Sequence, residues 1–259
     1  MTRLRNRWYK RTAVRFALCL LALALFIWSL RWSEFDLVLL FGAAPRLAEF
    51  FSRLVPPDWS VTTLVLKSTI ETMMITVAGT FLAVVVSIPL GFLAASNVSP
   101  AWISHPVRWI LGVIRSVPLI VVALIFVAAV GLGPFPGLLA ITFHSIGMLS
   151  KFYAEEFETA EEGIINAVRG TGASWLQTLR FGLIPQCVPQ MVFFTIYRFE
   201  MNFRDAAVLG LVGAGGIGYY IQLYVRGFQY EKVAVLLLVI IIVVTLLDQL
   251  TYWVRRLVR

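Results

Sequence analysis

Apolar positions along this chain come in blocks too long for a soluble core. Residues 72–95 run 24 positions without a charge, and 116–150 run 35. A helix needs about 20 apolar residues to cross about 30 Å of hydrocarbon. By that measure the pattern predicts six spans, at roughly 13–30, 69–95, 116–132, 136–153, 187–210 and 233–253. As one helix the 35-residue block would reach about 52 Å at 1.5 Å per residue. The Gly- and Pro-rich stretch 131–137 interrupts it, so the block predicts a helical hairpin. The first span comes after a basic head but lacks a small-x-small cleavage site, which predicts a retained anchor. A seven-span alternative would split 181–197 from 206–225. It asks a helix to hold five glycines between Gly210 and Gly218, and is disfavoured.

Between the first two spans, Leu47, Phe50, Phe51 and Leu54 alternate with Arg46, Glu49 and Arg53 at helical spacing, and Pro45 stands at the start. That predicts a short interfacial helix. The head, anchor and interfacial segment form a first region, 1–63, and 64–259 forms the core.

Composition agrees with the spans. The chain is 59% hydrophobic and 14% charged, with mean hydropathy +0.85, whereas a soluble domain carries about 25% charge. This is an all-α polytopic membrane protein, and a secreted disulfide scaffold, a disordered tail and a nucleic-acid binder are excluded. Of 22 Lys and Arg, an inside N-terminus puts 14 in inside segments and six outside, while Arg198 and Arg204 fall within the fifth span. Both termini are therefore expected in the cytoplasm.

The candidate chemistry is sparse. Cys19 and Cys187 read as packing residues, and His105 and His144 are too few for a metal site. No G-x-x-x-x-G-K-[ST] loop is present, so any ATP hydrolysis belongs to another subunit. The acidic run Glu155, Glu156, Glu158, Glu161 and Glu162 reads as a solvated helix face rather than a cation site.

The segment 163–185 is unusual for an inner loop, because it reads as helix, glycine break, helix. Asn166, Ala167, Gly170, Gly172 and Ala173 lead to Ser174, which caps a short helix. Trp175, Leu176 and Leu179 form an apolar stripe on that helix, and Pro185 starts the next span. On a cytoplasmic face the stripe needs a partner subunit or the lipid surface.

Arg198, Glu200, Asn202, Arg204 and Asp205 lie inside a span, where charge is costly and must face protein or water. Glu200 and Arg204 are spaced to pair. Arg198 and Arg204 either serve such pairs or line a pathway for an oxyanion, which guanidinium groups bind well. The run Gly213-Ala214-Gly215-Gly216-Ile217-Gly218 reads as a re-entrant loop or gate, or more blandly as a flexible connector.

The 163–185 segment resembles the cytoplasmic coupling loop of ATP-binding-cassette importer permeases, whose pattern is Glu-Ala-Ala, three residues, Gly, nine residues, Ile-x-Leu-Pro. Gly172, Ile184 and Pro185 match at the correct spacing and Ala167 fills the middle of the triplet. Asn166 replaces the Glu, Val168 the second Ala and Gly182 the Ile. Several further stretches resemble the phosphonate and phosphite importer permeases. They are Pro106-Val107-Arg108, Arg115-Ser116-Val117-Pro118, the run from Val130 to Phe135, Tyr197-Arg198-Phe199-Glu200 with Asn202 and Arg204, and the glycine-rich run. Together they cover roughly 64–259.

The resemblance implies a type I importer transmembrane domain in the bacterial inner membrane. It further implies a second copy of the chain, two ATPase subunits that use ATP and Mg2+, and a periplasmic or lipid-anchored substrate-binding protein. Residues 166–185 would then couple to the ATPases, Arg198, Glu200, Asn202 and Arg204 would lie on the pathway, and 213–218 would form the outer gate. Two rival readings are a carrier or channel working alone and a membrane-embedded enzyme acting on lipid phosphates. The first is weakened because no internal repeat is evident. The second lacks a cluster of paired acids, His and Lys.

Overall fold

The computed structural model describes residues 2–258, with side chains described for 15–254 and Arg256. The basic head residues Arg3, Arg5, Arg7, Lys10 and Arg11, together with Arg255 and Arg259, lie outside the described side chains. The described residues form helices and no strand. In chain order these are α1 (Thr2–Trp32), α2 (Leu37–Gly42), α3 (Ala44–Ser52), α4 (Thr62–Ala94), α5 (Ala101–Ser116), α6 (Leu119–Val130), α7 (Pro134–Thr159), α8 (Glu162–Gly170), α9 (Trp175–Thr178), α10 (Ile184–Leu209), α11 (Gly216–Arg226) and α12 (Tyr230–Val258). A π-helical turn, Leu179–Leu183, joins α9 to α10.

Contacts divide the chain into two compact units, Met1–Arg53 and Leu54–Arg259. In the first, α1 contains an apolar stretch, Arg15–Trp32, long enough to cross a membrane. Asp36 caps α2 by accepting from the Val38 and Leu39 amides at 2.7 and 3.2 Å. The expected interfacial helix is α3, with Pro45 in its first turn and Arg53 paired to Glu49 at 2.6 Å.

The second unit is a helical bundle centred on α4 against α7. The buried side of α4 carries Ser68, Thr72, Thr76, Gly79, Thr80, Ala83, Ser87 and Gly91. Small side chains at such spacing let two backbones approach closely where lipid supplies no hydrophobic drive. A Cβ on Gly79 would lie 2.8 Å from the Ile141 side chain, and one on Gly91 would lie 2.9 Å from Tyr153. The hydroxyls of Ser68, Thr69, Thr72 and Thr76 are satisfied within the helix, Thr72 and Thr76 donating to the carbonyls four residues back at 2.8 Å. The opposite face presents Ile70, Met74, Phe81 and Val85, exposed as lipid-facing residues are.

Among the described residues four helices can cross a membrane by length and composition, or five if the bent pair α5–α6 is one span. The 26 residues of α7 reach about 39 Å. His144, Ser145, Ser150 and Lys151 dilute its apolar character, so α7, expected as a span at 136–153, has the length to cross but not the composition.

One expected span is corrected. Residues 116–132 are not a single crossing helix, because α6 has 12 residues, about 18 Å. Its axis is bent 85° from α5, which lay in an expected loop. The break falls at Val117-Pro118: proline has no amide hydrogen to continue α5, and it pushes Val117 to φ −78°, ψ 123°. Both pieces run beside α7, with Ile114 of α5 against Gly147 and Phe126 of α6 against Phe143. The interruption near 131 is as expected, with Gly131 at φ 92° and Gly133 at φ 137°. Continuous α10 likewise leaves no place for the seven-span split.

One end of the bundle gathers 96–98, 157–158 and 165–183, and the opposite end gathers 131–133 and 210–215. Cys187 is buried in the core near the first end, whereas Cys19 is exposed on α1.

Candidate functional sites at the two ends and the middle of the bundle

At the 165–183 end, α8 carries Asn166 and Ala167, and the chain turns at Thr171 and Gly172, the latter at φ 82°. A side chain at Gly172 would have room but a strained backbone. Ser174 and Gln177 form a reciprocal capping box over α9. Trp175 and Leu176 are 57% and 70% exposed, as a docking surface requires. Leu179, expected on the same stripe, instead packs against the core cluster around Leu149, Tyr153 and Phe157. It opens the π-helical turn, where an extra residue per turn rotates the facing of the next helical residues. Gly182 lies buried in that turn against Ile165 and Val168 of α8. Gln186, in the first turn of α10, accepts from the amide of Glu161, the N-cap of α8, at 2.9 Å.

The acidic run is not uniformly solvated. Glu158 accepts from the Ser96 amide at 2.7 Å and pairs with the Ser96 hydroxyl and with Arg108, whose Nε also donates to the Ala94 carbonyl at 2.6 Å. Burial would raise the Glu158 pKa, but the Ser96 hydrogen bonds and the Arg108 charge outweigh it and hold the carboxyl below its ordinary value. Glu155 pairs only with Lys151, at 3.6 Å.

In the middle of the bundle, α10 sends its polar residues to two faces. Arg198, Asn202 and Asp205 point inward. Arg198 is 3% exposed, with Nε donating to Ser145 at 3.0 Å and Nη2 contacting His144 at 3.1 Å and Asp205 at 3.3 Å. Asn202 accepts from Ser145 at 3.1 Å and donates to Thr80 at 2.8 Å, which links α4, α7 and α10. Glu200 and Arg204 face α12. Arg204 donates at 2.8 Å both to Glu200 and to Asp248, and Thr251 donates to Glu200 at 3.3 Å. The expected pathway residues thus separate into a sealed network and a half-exposed ion cluster.

Ser145, Thr80 and Asp248 were not singled out from the sequence, and His144 only as a poor metal ligand, because their partners lie 44 to 122 positions away. Arg115 stands in the sequence only as part of the Arg115-Ser116-Val117-Pro118 resemblance, with no site role. It belongs to the end of α5, with its amide beside Gly147 in the middle of α7 and its side chain exposed. That stretch already holds the signal, a charge three residues before a helix-breaking proline at the edge of an apolar block.

At the 210–215 end the glycine-rich run is packed rather than open. Ala214 is 1% exposed, and Gly213, Gly216, Ile217 and Gly218 are buried. The Glu71 carboxylate accepts the Gly216 amide at 2.9 Å, and Thr72 Oγ1 accepts the Ile217 amide at 2.8 Å. Both groups belong to α4 and satisfy the orphan amides that open α11. The Gly133 amide donates to the Gly213 carbonyl at 3.0 Å. A cleft of about 200 Å3 lies here, lined by Glu71, Leu132, Gly133, Gly213, Tyr219 and Tyr220 among others. Among the described residues no three His, Cys, Asp or Glu groups converge as metal ligands would.

Residues 87–259 match the family described as binding-protein-dependent transport system inner membrane component. The chain belongs to this family. The permease is 41% identical over 226 residues to the phosphite transport system permease protein PtxC of Stutzerimonas stutzeri, covering 85% of this chain and 81% of that one. It is 39% identical over 212 residues to the phosphate-import permease protein PhnE of Mycolicibacterium smegmatis, covering 79% of this chain and 39% of that one. The MetNI methionine ABC transporter, solved in inward facing conformations, superposes with TM-score 0.70 at 22% identity, over 78% of this chain and 99% of that one. The fold of the permease is therefore that of a type I ABC importer transmembrane domain.

As a family member the permease is a multi-pass inner-membrane protein and the non-catalytic transmembrane subunit of a transporter with ATPase and substrate-binding partners. This sets aside the lone carrier and the lipid-phosphate enzyme.

Proposed function

We propose that the permease carries a phosphite- or phosphonate-class oxyanion into the cytoplasm by alternating access, as a homodimer with two ATPases and an exported receptor. The observation that carries this reading is the Arg204–Glu200–Asp248 cluster. Arg204 and Asp248 are each 44% exposed within apolar helices. Exposed charge in a span is costly against lipid, so this face turns to a second copy or to a watered path. Arg115, exposed beside the α5–α6 break and level with Gly147 of α7, adds a second guanidinium. PtxC, named for phosphite transport, supports the substrate class.

Both termini are cytoplasmic in this reading, which puts Trp175 and Leu176 on the inner face to dock an ATPase that binds ATP and Mg2+. When the ATPases close, α8, α9 and the π-helical turn move as one packed body, carrying Asn166, Ala167, Gly170, Gly172, Ala173, Ser174, Leu179 and Pro185 with it. The 213–218 loop closes the outer end. Because Ala214 is buried, the receptor would touch the exposed residues beside it, Leu211 and Tyr219.

Proteoliposomes holding the permease with its ATPase and receptor test the reading. ATP-dependent phosphite or methylphosphonate accumulation is expected, and accumulation of neither would overturn the substrate class. A cysteine placed at Leu176 should react with an impermeant maleimide only after cells are opened. Labelling in intact cells would reverse the orientation.

A further inference from the structure

A cavity of about 280 Å3 opens between α5 and α7, lined by Arg108, Leu111, Gly112, Lys151, Ala154 and Glu155. It lies apart from the Arg204 cluster and from the outer loop. Two cations face it and neither is fully committed. Arg108 uses Nε and Nη2 on Ala94 and Glu158, and its Nη1 has no hydrogen-bond partner among the described residues. The Lys151 ammonium has one acceptor, Glu155, at 3.6 Å, an exposed i,i+4 pair of the kind that contributes little. Glu155 is the anion such a site would displace, and Glu158 stays with Arg108.

The rest of α5 shows what surrounds the opening. Trp102 and Trp109 are 76% and 72% exposed and share one helix face with Val113. Exposed tryptophans seven residues apart at the end of a span mark the headgroup belt of a bilayer. The basic cavity opens beside that face. Gly112 leaves its wall unfilled, since a Cβ there would meet nothing within 4 Å.

We propose that the cavity between α5 and α7 binds a phosphoryl oxyanion, held by Lys151 and Arg108 Nη1, at the cytoplasmic end of the permease. Charge-assisted bonds from a guanidinium and an ammonium suit a tetrahedral oxyanion, and basic pockets between spans on the cytoplasmic side take anionic lipid headgroups. The same chemistry is offered by the phosphate of an anionic lipid and by a free inorganic oxyanion. The cytoplasmic placement rests on the orientation proposed above. Binding to the purified complex does not depend on sidedness or on uptake, so the two readings fail separately.

The test uses the intact permease–ATPase complex. Native mass spectrometry reads the lipid retained on release from nanodiscs of phosphatidylglycerol and phosphatidylcholine, and calorimetric titration reads binding of inorganic phosphite. Lys151→Gln should lower retained phosphatidylglycerol about fivefold, the factor equivalent to about 1 kcal/mol for one basic side chain. Glu155→Gln should raise it by removing the competing carboxylate, and Gly112→Phe, which fills the cavity, should abolish it. If phosphite binding follows that order and lipid retention does not, the occupant is the free anion. If neither ligand follows it in variants that melt with the wild type, the proposal is overturned. Should Lys151→Gln fail to assemble, the opposite signs expected of Glu155→Gln and Gly112→Phe still decide, because general destabilisation cannot raise binding in one and remove it in the other.

Discussion

Arg204 on α10 donates to Asp248 on α12 at 2.8 Å, and this contact is half open, whereas Arg198 six residues earlier is sealed. The two arginines therefore differ in what their loss does. Arg204→Gln should leave the complex assembled with near-normal basal ATP hydrolysis and lower uptake about twentyfold, equivalent to about 1.8 kcal/mol and within the range of one charged hydrogen bond. Wild-type uptake in an Arg204→Gln complex would remove Arg204 from the path.

Arg198→Gln should act on the fold. It strands Asp205 and removes the donor to Ser145, and breaking a buried pair costs about 3–5 kcal/mol. The expected signature is a large drop in melting temperature of the purified complex or failure to assemble. Normal melting with lost uptake would instead put Arg198 on the path.

Gly218 is the tightest point of the outer loop, since a Cβ there would lie 1.8 Å from the Ala207 carbonyl oxygen. Backbone cannot yield as a flexible side chain does, so Gly218→Ala should prevent assembly. Gly112→Ala, with no atom within 4 Å of its Cβ, is the matched control and should be neutral or slightly stabilising. Equal behaviour of the two on size-exclusion chromatography would contradict this packing.

Leu176→Glu should uncouple. An exposed substitution shifts stability by no more than about 0.5 kcal/mol, so the chain still folds, while a carboxylate in place of an apolar contact weakens ATPase docking. Uptake should fall and co-purification with the ATPase should weaken. Retention of both would move the docking surface elsewhere.

Glu158 gives a pH signature beyond the spans. Its folded pKa lies below its ordinary 4.5. Its contribution to stability is therefore full above about that value and fades as pH falls through the folded one. Glu158→Gln should lower the melting temperature at pH 7, and the gap to wild type should narrow as the pH is taken below 4.5. A gap constant with pH would mean that Ser96 and Arg108 do not depend on the carboxylate charge.

Much of the bundle was legible in the sequence, because crossing lipid demands long apolar runs that composition reveals. The capping box at Ser174 and the turn at Gly172 were equally readable, both being set by residues a few positions apart. The α5–α6 break was not, since its apolar block reads as continuous and only Val117-Pro118 marks the bend. The inward turn of Leu179 also escaped, because periodicity assumes an α-helix and the chain switches to a π turn there. Pairings such as Arg204 with Asp248 and Glu71 with Gly216 join positions 44 and 145 apart, and residue type alone cannot rank them.

Helix α4 has 33 residues and is about 50 Å long, helical throughout despite Pro89. In its first third Glu71 and Thr72 grip the glycine loop, and at its far end the Ala94 carbonyl and the adjoining Ser96 are clasped by Arg108 and Glu158. A strut moored at two such points cannot slide without disturbing both. Opening the outside mouth and shifting the inner footing are then two readings of one displacement, and the chain carries its own push-rod between them.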